Sequence, residues 1–147
     1  MAIPPISQFK NVRYESMNMS DELAIVIPAK NEEKLLPRLL ISLIRQDYRL
    51  MRDTNIFLAD AESTDRTIKI AQNFSNNLAI RVIRGGLHSF GRNNGARCAY
   101  SRYLLFLDAD IELADRTLIR RAINTMKSKS LHCVKGKKIY RFLPISS

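Results

Sequence analysis

Apolar positions along this chain gather into short runs separated by longer, periodic stretches. The runs are Leu23-Ala24-Ile25-Val26-Ile27, Asn55-Ile56-Phe57-Leu58-Ala59, Ile80-Arg81-Val82-Ile83 and Tyr103-Leu104-Leu105-Phe106-Leu107. Each predicts a strand, and the first, closed by Pro28, reads as one buried on both faces of a sheet. Between them, Leu35, Leu36, Leu39, Leu40, Leu43 and Ile44 follow one helical face. Asn31 is the expected cap of that helix, and Pro37 predicts a displaced or kinked first turn. Ser63 or Thr64 is expected to cap a second helix that faces the core with Ile68, Ala71 and Phe74. A short helix is expected over Arg92 to Ser101, and another over Ala114 to Met126 with Leu118, Ile119, Ala122 and Ile123 inward. Leu131 to Phe142 reads as a last strand flanked by lysines. Residues 1–20 show no period and read as a loose leader to a domain at 21–147. Strand and helix alternate, which predicts an α/β sandwich with a mainly parallel central sheet.

In such sheets ligands bind beyond the carboxyl ends of the strands. Three predicted strands run there into polar, acidic segments: Pro28-Ala29-Lys30-Asn31-Glu32-Glu33, Asp60-Ala61-Glu62-Ser63-Thr64-Asp65, and Asp108-Ala109-Asp110. If the strands are parallel neighbours, these carboxylates converge on one edge. Two acids one small residue apart can share a divalent ion, and hard oxygen ligands suit Mg²⁺ or Mn²⁺. A solvated acidic turn would look the same in isolation. Asp60 precedes the helix cap, which makes it a ligand candidate. Gly91-Arg92-Asn93-Asn94-Gly95 pairs small residues with a cation and reads either as a close approach to a diphosphate or as a glycine-flanked turn. His88 and His132 lack companion ligands.

Composition and charge refine this picture. The 147 residues suit one domain, with 46% hydrophobic and 26% charged residues. The net charge is +10. It is concentrated from Ala114 to Ser147, where nine Lys and Arg stand against one Asp. A block of this kind attracts phosphates or serves as a solubilising face. Cys98 and Cys133 are too few for a disulfide framework and point to reduced thiols in a cytoplasmic setting. No signal-peptide pattern opens the chain, and no apolar run approaches the roughly 20 residues needed to span a bilayer. Membrane contact is therefore expected to be peripheral.

The order Ile25-Val26-Ile27-Pro28-Ala29-Lys30-Asn31-Glu32, Asp60-Ala61-Glu62-Ser63-Thr64-Asp65-Arg66-Thr67, Gly91-Arg92-Asn93-Asn94-Gly95 and Phe106-Leu107-Asp108-Ala109-Asp110 resembles glycosyltransferase family 2 over roughly Glu22 to Lys127. The resemblance implies the Rossmann-like GT-A fold, a three-layer sandwich, with a nucleotide-diphosphate-sugar donor, Mn²⁺ or Mg²⁺, and inverting transfer. It implies that Pro28, Ala29 and Glu32 line the nucleoside pocket and that Asp60 contacts the base. It places Arg92 near the donor, and Asp108, Ala109 and Asp110 at the diphosphate, with Asp108 and Asp110 as metal ligands.

Two departures stand out. Glu62 and Arg66 occupy positions where the family often has Gly, which bears on donor identity. The chain also ends soon after its predicted fifth strand, so the acceptor region and a general base are not identifiable. A phosphorylated acceptor such as a polyprenyl phosphate, already ionised, would need no base, and the basic segment would suit one at a membrane surface. The readings that compete with an active transferase are a donor-binding but catalytically incomplete member and a basic polyanion-binding module. Sparse aromatic residues among the terminal cations, Tyr140 and Phe142, argue against nucleic acid.

Overall fold

The computed structural model describes residues 22–130 and the backbone of 134–135 and 140–144. In chain order the elements are β1 (Leu23–Ala29), α1 (Leu36–Ile44), α2 (Tyr48–Arg52), β2 (Asn55–Asp60), α3 (Thr67–Asn73), β3 (Ala79–Arg84), α4 (His88–Cys98), β4 (Tyr103–Leu107), α5 (Leu118–Lys129), β5 (Val134–Lys135) and β6 (Tyr140–Pro144). They build one sheet in the order β3-β2-β1-β4-β6-β5. The first four strands of that order are mutually parallel, and β6 adds antiparallel to β4. All four predicted parallel strands are present. The expected last strand over Leu131 to Phe142 lies partly outside the described residues. Where the backbone is described, two short strands stand in its place.

The central strands bury both faces, as unbroken apolar runs require. Leu23, Ile25 and Ile27 point to the larger core with Leu36, Leu39, Leu40 and Leu43 of α1, Ala71 of α3, and Ile119, Ile123 and Met126 of α5. Ala24 and Val26, one step out of phase, point to the other face with Phe57, Leu104 and Ala99. There α4 packs on β1, β2 and β3, giving three layers. Edge strand β3 is less buried than its neighbours, with Arg81 exposed.

Local starts differ from the sequence reading. Of the two outcomes expected from Pro37, the displaced first turn is the one seen: α1 starts at Leu36, with Pro37 in its first turn, where its missing N–H costs nothing. Asn31 caps no helix, because α1 begins five residues later with Leu35 at its N-cap. Helix α3 starts at Thr67, so neither Ser63 nor Thr64 caps it. Arg66 is its N-cap and makes no side-chain cap bond; Asp65, one residue earlier, accepts from the backbone and hydroxyl of Thr67. Ile70 rather than Ile68 joins Phe74 against the core. Helix α4 begins at His88 instead of Arg92, and α5 is shifted to 118–129.

Part of the basic segment is spent on structure. Arg120 donates to Glu22 at 3.0 Å and to Asp47 at 3.2 Å, while Lys127 pairs with Glu22 and Arg121 with Asp115. Burial alone would raise the Glu22 carboxyl, but hydrogen bonds from Lys127 and Arg120 outweigh it and hold Glu22 below the usual range. These pairs tie α5 to the foot of β1 and the start of α2.

Candidate functional site

Parallel pairing brings the acidic segments together. Ala29 stands opposite Asp60, and Asp60 opposite Arg84. Val26 stands opposite Phe106, so the turn at Asp108 leaves the sheet at the same edge. Asp60, Glu32, Asp108 and Asp110 therefore gather at the carboxyl ends of β2, β1 and β4.

Two loops at this edge are latched to each other. The Asn31 N–H donates to Ser63 Oγ (2.9 Å), Glu32 N–H to Thr67 Oγ1 (2.8 Å) and Glu33 N–H to Asp65 Oδ2 (3.2 Å). In return, the backbone N–H groups of Thr64 and Arg66 donate to Asn31 Oδ1 (2.8 Å) and Glu33 Oε2 (3.2 Å). Asn31 (φ 52°) and Glu62 (φ 57°) both adopt the left-handed region within this latch. The partners lie more than thirty residues apart in sequence. No local signal for the latch exists, and sequence reasoning assigned Asn31, Ser63 and Thr64 to capping instead.

A cleft of about 500 Å³ opens over β1, β2 and β3. Its walls include Pro28, Ala29, Lys30 and Glu32 from the first loop, Ala61 and Glu62 from the second, and Arg84, Gly85, Gly86, Leu87 and Phe90 beyond β3. Three of the expected donor-binding residues, Pro28, Ala29 and Glu32, line this cleft. Asp60 lies at its margin, only 7% exposed. Its Oδ2 accepts from Ser63 N–H (3.0 Å), while Oδ1 is buried with no hydrogen-bond partner among the described residues. A buried, unsatisfied carboxylate oxygen is costly and therefore marks a place where a ligand donor fits. Gly85 is obligatory here: a Cβ would stand 2.5 Å from the Ala59 carbonyl oxygen.

Arg92, Asp108, Ala109 and Asp110 lie outside the walls of that cleft. Arg92 reaches from α4 to Asp108, with its terminal nitrogen 3.0 Å from Oδ1. Its Nε is buried without a partner among the described residues. Ala109 is buried and Asp110 exposed. Among the described residues no group of three or more His, Cys, Asp or Glu is arranged to hold a metal on its own. Gly91 and Gly95 do not form a turn; both lie inside α4. A Cβ at Gly95 would stand 2.2 Å from Val26 Cγ1, and one at Gly91 3.4 Å from Ala59 Cβ. The glycines let the helix lie on the sheet, and this seating aims Arg92 at Asp108.

The loop after β4 is held from α1. Arg38 pairs with Glu112 (2.8 Å), buried Ser42 accepts from Leu113 N–H (3.1 Å), and buried Gln46 bonds the Asp115 carbonyl and the Ile119 N–H. Polar Ser42 within the apolar helix α1, and Gln46 just past its end, were the available sequence signal for this role.

Glu32 reports on the convergence. Burial, followed by the nearby charges of Asp110, Asp65 and Asp108, raises its carboxyl above the usual range. A carboxyl raised in the folded state binds its proton more tightly there than when unfolded. Its ionisation thus costs stability as pH rises through the folded value. Glu32→Gln is expected to melt higher than the parent at pH 7 without divalent cations, with the difference shrinking toward pH 4. Equal melting temperatures at pH 7 would place Glu32 away from the other acids.

The four parallel strands, with β6 antiparallel beside β4, have the GT-A fold, as the solved structures below share it. The family model of Glycosyl transferase family 2 matches residues 24–145, and the chain belongs to that family. It is 32% identical over 111 residues to the 4,4'-diaponeurosporenoate glycosyltransferase of Staphylococcus haemolyticus, covering 72% of this chain and 28% of that protein. It is 35% identical over 103 residues to a PGL/p-HBAD biosynthesis glycosyltransferase of Mycobacterium bovis, covering 67% of this chain and 39% of that one. The chain thus spans well under half the length of these curated relatives. Among solved structures, the mannosyltransferase PcManGT of Pyrobaculum calidifontis, in complex with GDP-Man and Mn²⁺, superposes with a TM-score of 0.72 at 20% identity, over 80% of this chain and 36% of that one. Staphylococcus aureus TarS 1–349 in complex with UDP-GlcNAc gives 0.67 at 23% identity, over 80% and 36%. Among the described residues no helix is long and apolar enough to cross a membrane.

Proposed function

We propose that this chain binds a nucleotide-diphosphate sugar at the carboxyl edge of the sheet and takes part in metal-dependent, inverting transfer of the sugar. The observation that carries the reading is the meeting of Asp60, Glu32, Asp108 and Asp110 at one edge, with the Asp60 Oδ1 buried and unpartnered. Strands lie about 4.8 Å apart, so the ends of β2 and β4 are roughly 10 Å from each other. That separation suits a nucleoside over β2 with its diphosphate toward β4.

Residues at the edge fit a divalent cation. Asp108 and Asp110 offer hard carboxylate oxygens, and the negative charge that adds to burial in raising Glu32 is what a cation would neutralise. Two protein carboxylates without a closed cage leave room for phosphate oxygens and water. When bound, Mn²⁺ or Mg²⁺ would neutralise charge on the leaving diphosphate. Arg92 supplies a fixed positive charge beside the same carboxylate. Asp60 accepts a hydrogen bond from the base, and Pro28, Ala29 and Glu32 form the wall facing the nucleoside. In the transfer, an acceptor oxygen forms a bond to the anomeric carbon as the bond from that carbon to the diphosphate oxygen breaks. The nucleoside diphosphate leaves with the bonding pair. The net positive charge of residues 114–147 supports a phosphate-bearing acceptor at a membrane surface, although Arg120, Arg121 and Lys127 are occupied by ion pairs.

GDP-Man and UDP-GlcNAc are each bound by proteins of this fold, so the fold alone does not choose the base. A thermal-shift panel of nucleotide sugars, with and without manganese, tests the reading. At a ligand concentration 100 times the dissociation constant, binding stabilises by about 2.7 kcal/mol. One donor class is expected to raise the melting temperature by several degrees with manganese and by less without it. A panel in which no nucleotide sugar moves the transition overturns the proposal.

A further inference from the structure

Glu62 lines the cleft in a backbone conformation that favours glycine. Its neighbours hold it there. The Ser63 N–H is bound to Asp60, the Ser63 hydroxyl accepts from Asn31, and the Thr64 N–H donates to Asn31. On the other flank the Ala61 N–H donates to the Ala29 carbonyl (2.9 Å), so the backbone at Glu62 is held from both sides, with its side chain exposed at the cleft. Among the described residues the Glu62 carboxylate makes no hydrogen bond or ion pair, although Lys30 and Arg84 line the same cleft. A charged side chain carried at a strained position without an internal partner points to a ligand contact.

We propose that Glu62 is a specificity-determining residue whose carboxylate takes two adjacent hydrogen-bond donors of the donor's nucleoside. This rests on the nucleotide-sugar reading above. The diphosphate is excluded as its target by charge and by place. Glu62 follows β2, two strands from Asp108 and Asp110, and a carboxylate repels phosphate oxygens. The nucleoside offers two groups of the right chemistry. One is the N1–H and N2–H pair on the guanine edge, which matches the two carboxylate oxygens. The other is the pair of ribose 2′ and 3′ hydroxyls. The uracil edge does not match, because its single N–H lies between two carbonyl oxygens that would face the carboxylate. Phe90, which lines the same cleft, packs its ring on Gly86, where a Cβ would stand 2.7 Å from the ring. The cleft therefore also offers an aromatic surface on which a base can rest.

Calorimetric titration of the full chain in manganese with GDP, UDP and 2′-deoxy-GDP tests the assignment. Charge-assisted hydrogen bonds make the expected loss in Glu62→Gln about ten-fold or more in affinity. A loss confined to the two guanine nucleotides supports contact with the base. A similar loss for GDP and UDP, much reduced for 2′-deoxy-GDP, supports contact with the ribose. Unchanged or tighter binding of all three by Glu62→Gln overturns the proposal and leaves the donor site standing. A parent chain that binds none of them overturns the Glu62 assignment, and the nucleotide-sugar panel above decides the donor site separately. Glu62→Gly supplies the structural control: it relieves the left-handed strain, so it is expected to melt no lower than the parent while losing the same affinity. A Gly variant that keeps the parent's affinity assigns Glu62 to the loop alone and overturns the proposal.

Discussion

Asp110→Asn is expected to lower the proposed metal-dependent transfer on the order of 10²–10³-fold, with the free chain melting no lower than the parent at pH 7. The magnitude is that of losing one preorganised electrostatic group at a developing charge. Stability is spared because Asp110 is exposed, and its removal relieves the charge crowding on Glu32. Asp108→Asn should match it in activity and differ in stability. Asp108 is the partner of Arg92, whose Nε is already buried without an acceptor among the described residues. Neutralising Asp108 leaves that guanidinium with weaker compensation. The pair is about a third exposed on the Arg92 side, so the cost is kept to about 1 kcal/mol. Measuring both variants by sugar transfer and by donor titration with and without manganese, alongside melting of the free chain, separates the roles. If both bind donor with manganese as the parent does, the metal assignment fails. If Asp108→Asn melts with the parent, the Arg92 pair contributes nothing to the fold.

The parts of the molecule visible in sequence are those governed by local pattern. Ile25-Val26-Ile27, Phe57-Leu58-Ala59 and Leu104-Leu105-Phe106 are strands because a central parallel strand must be apolar on both faces. Their shared direction then carries Asp60 and Asp108 to one edge without further information. What sequence reading misplaced depends on partners distant along the chain. Asn31 has the chemistry of a cap and was read as one. Its side chain instead accepts from Thr64, thirty-three residues away. Ser42 and Gln46 look like interruptions of an apolar face, yet they satisfy backbone groups of the segment after the acidic motif. Gly91 and Gly95 read either as a close approach to a diphosphate or as a glycine-flanked turn, because spacing alone cannot show that a helix lies within van der Waals contact of Val26 and Ala59. The family resemblance brought Arg92 into the site, and the structure supplies the reason: the helix that carries it is seated by those glycines.

That seating yields the second large effect. Gly95→Ala is expected to destabilise the chain by about 3 kcal/mol, although alanine in a helix is intrinsically better than glycine by about 1 kcal/mol. The sign follows from what the new methyl meets. A Cβ at Gly95 would stand 2.2 Å and 2.6 Å from the two Val26 methyls. Val26 is fully buried and β-branched, so it has no spare rotamer into which to withdraw. The helix must lift, and with it Phe90 on the cleft wall and Arg92 at Asp108. Weaker donor binding should therefore accompany the loss of stability. Gly91→Ala provides the contrast: its Cβ would meet Ala59 at 3.4 Å, ordinary contact, so the helix-propensity gain should offset most of any cost. Combining Gly95→Ala with Val26→Ala removes the obstructing methyls. The pair is expected to cost less than the sum of its members by about 1–2 kcal/mol in urea unfolding. Strict additivity, or a Gly95→Ala variant more stable than the parent, would mean that α4 does not rest on Val26 and that the aim of Arg92 has another source.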